Sequence, residues 1–264
     1  MKTVWVIGSG GHAKVVIDTL RAAGFDVGGL LDDDPGRLRR DVLGASVLGD
    51  TSPASLARFG ITRAVIAIGA NRARAGVARR LEGRLTWETV VHPRAYMAES
   101  VRIGEGSVVF AGAVVQAGAA VGRHVILNTA CSADHDNEIG DFAQLAPGAH
   151  LAGTVRVGEG AFIGTGATVL PDLVVGAWAT VGGGGVVARD VPPGVTVKGV
   201  PARSETTPAD KPGVPWLRIP RHRMHYCTLQ KLKEFGHSLP RFLQDLWATP
   251  GHNAPQRAGS AESL

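Results

Sequence analysis

The chain has 264 residues and a mass of 27.4 kDa, enough for one large or two medium domains that each bury a core. With 44% hydrophobic and 19% charged residues it reads as a soluble globular protein, but its 36 glycines are roughly double ordinary usage and follow no collagen period, which points to many tight corners in an all-β repeat. The formal charge of +5 fits either a solvated basic surface or a small polyanionic ligand such as a nucleotide; no RNA-binding or zinc-finger signature is present, so nucleic acid is set aside as a partner. Cys131 and Cys227 are too few for a disulfide framework or a cysteine-rich metal site.

The N-terminal stretch MKTVWVIGSGG reads as a strand entering a glycine turn, not as a secretory signal, and no apolar run approaches a membrane span; a cytoplasmic location is expected. After it, SGGHAKVVIDTLRAAG reads as a turn and a helix with Val15, Val16, Thr19 and Leu20 on one face. VGGLLDDD is a second strand ending in three acids, RAVIAIGAN a third, and RARAGVARRLEG a basic helix. Residues 1–90 therefore form a small βαβ domain with a parallel sheet, half of a Rossmann fold. The turn Gly8-Ser9-Gly10-Gly11-His12-Ala13 fits the loose G-x-G-x-x-A fingerprint, with Asp32 about twenty residues on. A dinucleotide would make this an NAD-dependent oxidoreductase, but 90 residues supply only half of that fold; a mononucleotide or a nucleotide-sugar diphosphate at the helix N-terminus suits the size better. His12 either caps its own turn or contacts a ligand phosphate or sugar.

From Ile103 onward the chain repeats every six residues: of the fifteen positions Ile103, Val109, Val115 and so on to Val187, all but Ala133 are Ile, Leu or Val. Glycines at 104, 122, 140, 158 and 176 add a register of eighteen, so three short strands make one triangular coil. In this reading the aliphatic residue points inward, and glycine and small polar residues tolerate the positive φ of the corners. Small residues such as Ala113, Cys131 and Ala149 stand two positions before the aliphatic ones, where the prism narrows, which makes Cys131 structural. Five coils at roughly 4.8 Å per strand give a stack of about 24 Å, and ETVVHPRAYMAES reads as an opening coil. The pattern resembles the hexapeptide-repeat, left-handed parallel β-helix, over residues 91–203; the handedness is implied by that resemblance.

Ala133, the one lapse in the ladder, stands among Asn128, Ser132, Asp134, His135, Asp136 and Asn137. A histidine followed by an acid offers a general base with a group to orient it. Strand neighbours point to opposite faces, so both side chains can be exposed only near a corner; the alternative is a solvated surface pair.

VIGSGGHAKVV, LNTACSADHDNEIGDFAQLAPGAHLAG and VGGGGVVARDVPPGVTVKGVPAR together resemble the bacterial nucleotide-amino-sugar N-acetyltransferases, which are related to sialic acid O-acetyltransferases. The resemblance spans about residues 1–203. It implies acetyl-CoA as co-substrate, a nucleotide-linked amino sugar as acceptor, direct transfer to the 4-amine, and a homotrimer with sites between adjacent prisms. It also implies roles for single residues. His135 is the base and Asp136 the acid that holds it, Asn128 is an active-site asparagine, and the Gly153 N–H binds the thioester carbonyl. Ala161, Gly183 and Gly184 line the acetyl-CoA groove with Gly153. Ser9, Gly11 and His12 hold the diphosphate, and Asp32 and Asp33 lie near the base or ribose. Gln144 stands where relatives commonly have a second histidine; it can still donate to a carbonyl or sugar hydroxyl but cannot act as an acid. O-transfer to a sugar hydroxyl and a non-catalytic sugar-nucleotide-binding protein remain as alternatives. The same fold hosts a zinc enzyme, but His124, His135 and His150 lack the H-x4-H pair expected of it, so no metal is expected.

Residues 204–264 break the pattern. SETTPADKPGVP reads as a Pro-rich linker, WLRIPRHRMHYCTLQKLKEFGHSLPRFLQDLW as one or two amphipathic helices split at Pro240, and the end as disordered. A helical cap on the prism or a neighbouring subunit is the main reading, with membrane-surface contact or contact with CoA phosphates as the other.

Overall fold

The computed structural model describes residues 2–204; the helical extension and linker read in the tail, and Cys227, lie outside the described residues. The described residues fall within one compact unit.

The chain opens with β1 (Thr3–Ile7), α1 (Gly11–Ala22), β2 (Asp26–Leu31), the hairpin β3 (Asp41–Val42) and β4 (Ala45–Gly49), α2 (Pro53–Arg58), β5 (Arg63–Ile66), α3 (Asn71–Arg80) and β6 (Thr86–Trp87). The sheet order is β3-β4-β2-β1-β5-β6, parallel except between β3 and β4. Helix α1 has Gly10 as its N-cap and buries Ala13, Val16, Ile17, Thr19 and Leu20. Val15, expected on that face, is instead 39% exposed, because the helix turns Ile17 inward in its place. The β3–β4 hairpin and α2 leave no periodic signal in the sequence, because their strands and helix are too short to build one.

Seventeen two-residue strands follow, from Val90–Val91 to Val186–Val187, and Thr196–Lys198 and Arg203–Ser204 close the stack with a hairpin. Each strand pairs in parallel with the one eighteen residues away, as Val108–Val109 does with Ile126–Leu127, which yields three faces. The first face runs through Val90, Val108, Ile126, Gln144, Phe162 and Thr180, the second through Tyr96, Val114, Ser132, His150, Thr168 and Val186, and the third through Arg102, Ala120, Glu138, Arg156 and Val174. Inside, Val109, Val115, Leu127, Leu145, Ile163 and Val169 have no exposure, and Ala113, Ala149 and Ala167 fill the narrow places with none either. Cys131 belongs to that set, and burial pushes its thiol up to about 12.

The glycine register has a different cause from the one expected. None of Gly104, Gly122, Gly140, Gly158 and Gly176 has positive φ; a Cβ on Gly104, Gly140 or Gly158 would lie 2.5–2.7 Å from backbone atoms of the next coil, so these glycines permit close stacking. The left-handed corner residues are others, two positions later on the edge that these glycines open. They include Gly106, His124, Phe142, Gly160 and Trp178 on one edge, and Gly118, Asp136, Thr154 and Asp172 on another.

The α/β sheet packs on the prism. Val90, Val108, Phe110 and Ile126 of the first face share a core with α1, and Trp87 and Phe142 share another with α3.

Candidate active site

His135 and Asp136 lie on the edge between the second and third faces, where the chain turns after Ser132–Ala133 and before Glu138–Ile139. Asp136 has φ 59°, the left-handed corner conformation, and that reversal lets both side chains face outward, 59% and 65% exposed. His135 Nδ1 lies 2.9 Å from Asp136 Oδ2. An ionised carboxylate only accepts, so Nδ1 carries the hydrogen and Nε2 the lone pair. The Asp136 hydrogen bond, opposed by slight desolvation and aided by the charges of Asp134, Asp136 and Asp172, raises the His135 pKa. The ring rests on Gly153, one coil on: a Cβ there would lie 2.5 Å from both Cε1 and Nε2. Among the described residues nothing accepts from the Gly153 N–H, whereas the Thr154 N–H donates to the His135 carbonyl at 3.0 Å. Asn137, fully buried, braces the corner from below, donating to the Asp134 and Ala152 carbonyls and accepting from the Val155 N–H. One member of the polar cluster is therefore scaffolding for its neighbours.

A cavity of about 350 Å³ opens at the C-terminal ends of β1 and β2, the crevice where such sheets take ligands. It gathers Ser9, Gly11, His12, Asp32 and Asp33. Ser9 donates from N and Oγ to Asp32 Oδ2 at 2.8 and 2.7 Å. Burial raises the Asp32 carboxyl, but Ser9, the Asp34 N–H and Arg37 outweigh it and hold its pKa below the usual range. Asp33 is likewise held low, against burial, by Thr51 and Arg80. His12 makes no cap; its ring packs edge-on against Phe110 at 5.4 Å, its Nε2 is buried without a partner, and burial together with Arg74 pushes its pKa down to about 4.

Residues 3–81 match the family model of the PglD N-terminal domain. The chain is also similar to PerB from Caulobacter crescentus, solved with CoA and GDP-perosamine: 42% identity over 78% of this chain and 98% of that one, with a TM-score of 0.74. The acetyltransferase domain of PglB from Neisseria gonorrhoeae is 38% identical over 77% of this chain and 100% of its own, with a TM-score of 0.70. The chain belongs to the hexapeptide-repeat sugar N-acetyltransferases. WeeI from Acinetobacter baumannii, 28% identical over 77% of this chain and 100% of its own, has a TM-score of 0.66. Two further structures of the Caulobacter crescentus perosamine N-acetyltransferase carry a histidine replaced by asparagine or alanine.

The other expected site residues of this acetyltransferase are spread around the prism. Asn128, half-buried, and Gly183 and Gly184, both exposed, lie on the edge between the first and second faces. Gln144 is on the first face, 8% exposed, with Oε1 buried and unpartnered. Ala161 lies on the third edge, fully buried, its N–H given to Gly158 and its carbonyl accepting from Gln144 and Asn71. His124 is buried on that same third edge, and His150 on the second face shares a 2.8 Å hydrogen bond with Ser132; with His135 on its own edge, the three histidines do not converge.

Sequence reasoning missed Arg74. It is 1% exposed and faces carbonyls alone apart from Asn71 Oδ1: Nη1 donates to Ile68 and Gly69 of the cavity wall, Nε to His124, and Nη2 to Phe142. Burial pulls its pKa down to about 9. Asn71 adds bonds to the Gly160 and Ala161 carbonyls, so the start of α3 ties the cavity to the prism. The basic helix was visible in the sequence, but nothing in it singled out which arginine is buried.

Proposed function

We propose that this acetyltransferase moves the acetyl group of acetyl-CoA to the 4-amine of a nucleotide-linked amino sugar, with His135 as general base. The observation that carries the reading is the His135–Asp136 pair seated on Gly153, which fixes the tautomer and leaves the Nε2 lone pair without a partner among the described residues, beside the Gly153 backbone. The sugar amine attacks the thioester carbonyl carbon and gives its proton to Nε2. The Gly153 N–H stabilises the oxyanion of the tetrahedral intermediate. The C–S bond then breaks, and the CoA thiolate takes the proton back from His135. Asp136 holds Nδ1–H throughout and offsets the imidazolium charge.

The CoA and GDP-perosamine bound to the Caulobacter crescentus relative support this choice of substrates. Ser9, Gly11, His12 and Asp32 are the residues for the nucleotide diphosphate and ribose; Asp33, both oxygens taken by Thr51 and Arg80, shapes the wall beside them. The cavity reaches the prism through His12 and Phe110, one coil above Asn128, whereas His135 stands across the second face on the next edge. That separation supports a homotrimer in which the Asn128 edge of one protomer meets the His135 edge of the next. Gln144, with its orphaned Oε1, would contact the sugar, and the exposed backbone of Gly183 and Gly184 would line the acetyl-CoA groove.

The test is free-thiol release from acetyl-CoA with UDP-, GDP- and dTDP-linked 4-amino sugars, wild type beside His135→Ala. Turnover on one acceptor that collapses in the variant supports the assignment; no release with any acceptor, or release unchanged in the variant, refutes it.

A further inference from the structure

The cavity beside the glycine turn poses an electrostatic problem. Three carboxylates line it, Asp32, Asp33 and Asp34, yet it is the proposed site of a diphosphate. Asp33 is neutralised outside the cavity mouth by Arg80 Nη2 at 2.5 Å. His12 contributes no charge near neutral pH, its pKa being pushed down to about 4 by burial and by Arg74. Arg37 is then the one permanent cation among the lining residues, set against Asp32 and Asp34.

Its geometry is that of a held but unfinished donor. Nε lies 3.2 Å from Asp34 Oδ2 and Nη1 3.2 Å from Asp32 Oδ2, so two carboxylates fix the guanidinium plane. Nη2 has no partner among the described residues, and the side chain is 36% exposed. Nη1 lies 3.6 Å from where a Cβ on Gly10 would stand, which puts the guanidinium against the turn that opens α1. There the first turn of the helix carries no acid, and among the described residues nothing accepts from the N–H groups of Gly10, Gly11 and His12. Helix-end N–H groups favour an anion, but two uncompensated carboxylates on the opposite wall would repel it. A guanidinium between them removes that conflict and offers a forked donor suited to phosphate.

We propose that Arg37 is the residue that makes this cavity specific for a nucleoside diphosphate: Nε stays on Asp34 while Nη1 and Nη2 donate to the diphosphate opposite the first turn of α1. The inference rests on the nucleotide-sugar reading of the cavity. The competing account is that Arg37 only braces the Asp32–Asp34 loop.

Calorimetric titration of the full chain with UDP, GDP and dTDP, and with the matching nucleosides, separates the two. For the diphosphate that the wild type binds, Arg37→Gln should weaken affinity by about 10- to 100-fold, the loss of a charge-assisted hydrogen bond. Arg37→Lys should recover part of it, and nucleoside affinity should hold within about threefold. The wild-type diphosphate affinity should also fall with salt more steeply than the variant's. Equal losses for diphosphate and nucleoside, or no loss for either, overturn the assignment. A wild type that binds none of the three diphosphates overturns the cavity reading itself, and the assignment with it.

Discussion

Replacing Gly153 by alanine tests the seat of the proposed base without touching the base. The added Cβ would stand 2.5 Å from His135 Cε1 and Nε2 and 3.2 Å from Cδ2. Carbon contacts are comfortable at about 3.5–4.0 Å, so the ring must retreat by roughly 1 Å. It can do so, because it is 59% exposed and tethered at one point, the 2.9 Å bond from Nδ1 to Asp136. Gly153 does not have positive φ, so alanine brings no backbone strain, and it slightly restricts the unfolded chain. Stability should therefore change by no more than about 1 kcal/mol, a Tm shift within about 4 °C. Activity should fall much further: a displacement of about 1 Å at a reacting group costs on the order of 100-fold. The Gly153 N–H survives the substitution, so any loss belongs to the displaced Nε2. The assay is kcat from thiol release at saturating acetyl-CoA and acceptor, with a melting curve alongside. A kcat within twofold of wild type would show that the ring's rest on Gly153 does not place the base.

Asp136→Asn should move the acid limb of the kcat/KM profile to lower pH. The Asp136 hydrogen bond is the largest cause of the raised His135 pKa, so in wild type the base protonates, and activity falls, at a higher pH than for an ordinary histidine; an unmoved limb would refute the pairing. Acid should weaken the fold between about pH 6.5 and 4. His124 is buried and neutral, its pKa pushed down to about 4 by burial and by Arg123 and Arg74 against Asp141. The unfolded chain binds the proton first, so stability is full above the unfolded value and declines as pH falls toward the folded one, by about 3 kcal/mol for this residue. Urea midpoints across that range should drop, and flat midpoints would contradict the burial. Arg74→Met should cost about 3–5 kcal/mol, because it strips the Ile68, Gly69, His124 and Phe142 carbonyls of a buried donor. A change below 1 kcal/mol in denaturant unfolding would refute that bridging role.

The described acyltransferase core was legible wherever its physics is periodic. A triangular prism demands one inward aliphatic residue per strand and a small residue before it, so Val109, Val115 and Ala113 announced the β-helix, and the glycine turn at Ser9–Gly11 announced a helix N-terminus in an α/β crevice. His135 and Asp136 stood out because they interrupt that period, and the left-handed φ of Asp136 gives the reason the pair can face outward. Reading the glycine register as corner geometry failed because φ and close approach leave the same letter in a sequence; only the stacking distances at Gly104 and Gly140 separate them. Arg74 could not be picked from a helix with other arginines, since its partners are carbonyls up to 69 residues away and carbonyls have no residue type. The same holds for Arg37, whose meaning depends on two acids and a helix end meeting at one mouth. Sequence by itself determined the repeat, the turn and the interrupted corner, because each is a local pattern of side-chain size and polarity. Tertiary structure alone decided which edge each site residue occupies and which cations are buried or exposed, because those depend on contacts between segments that share no period.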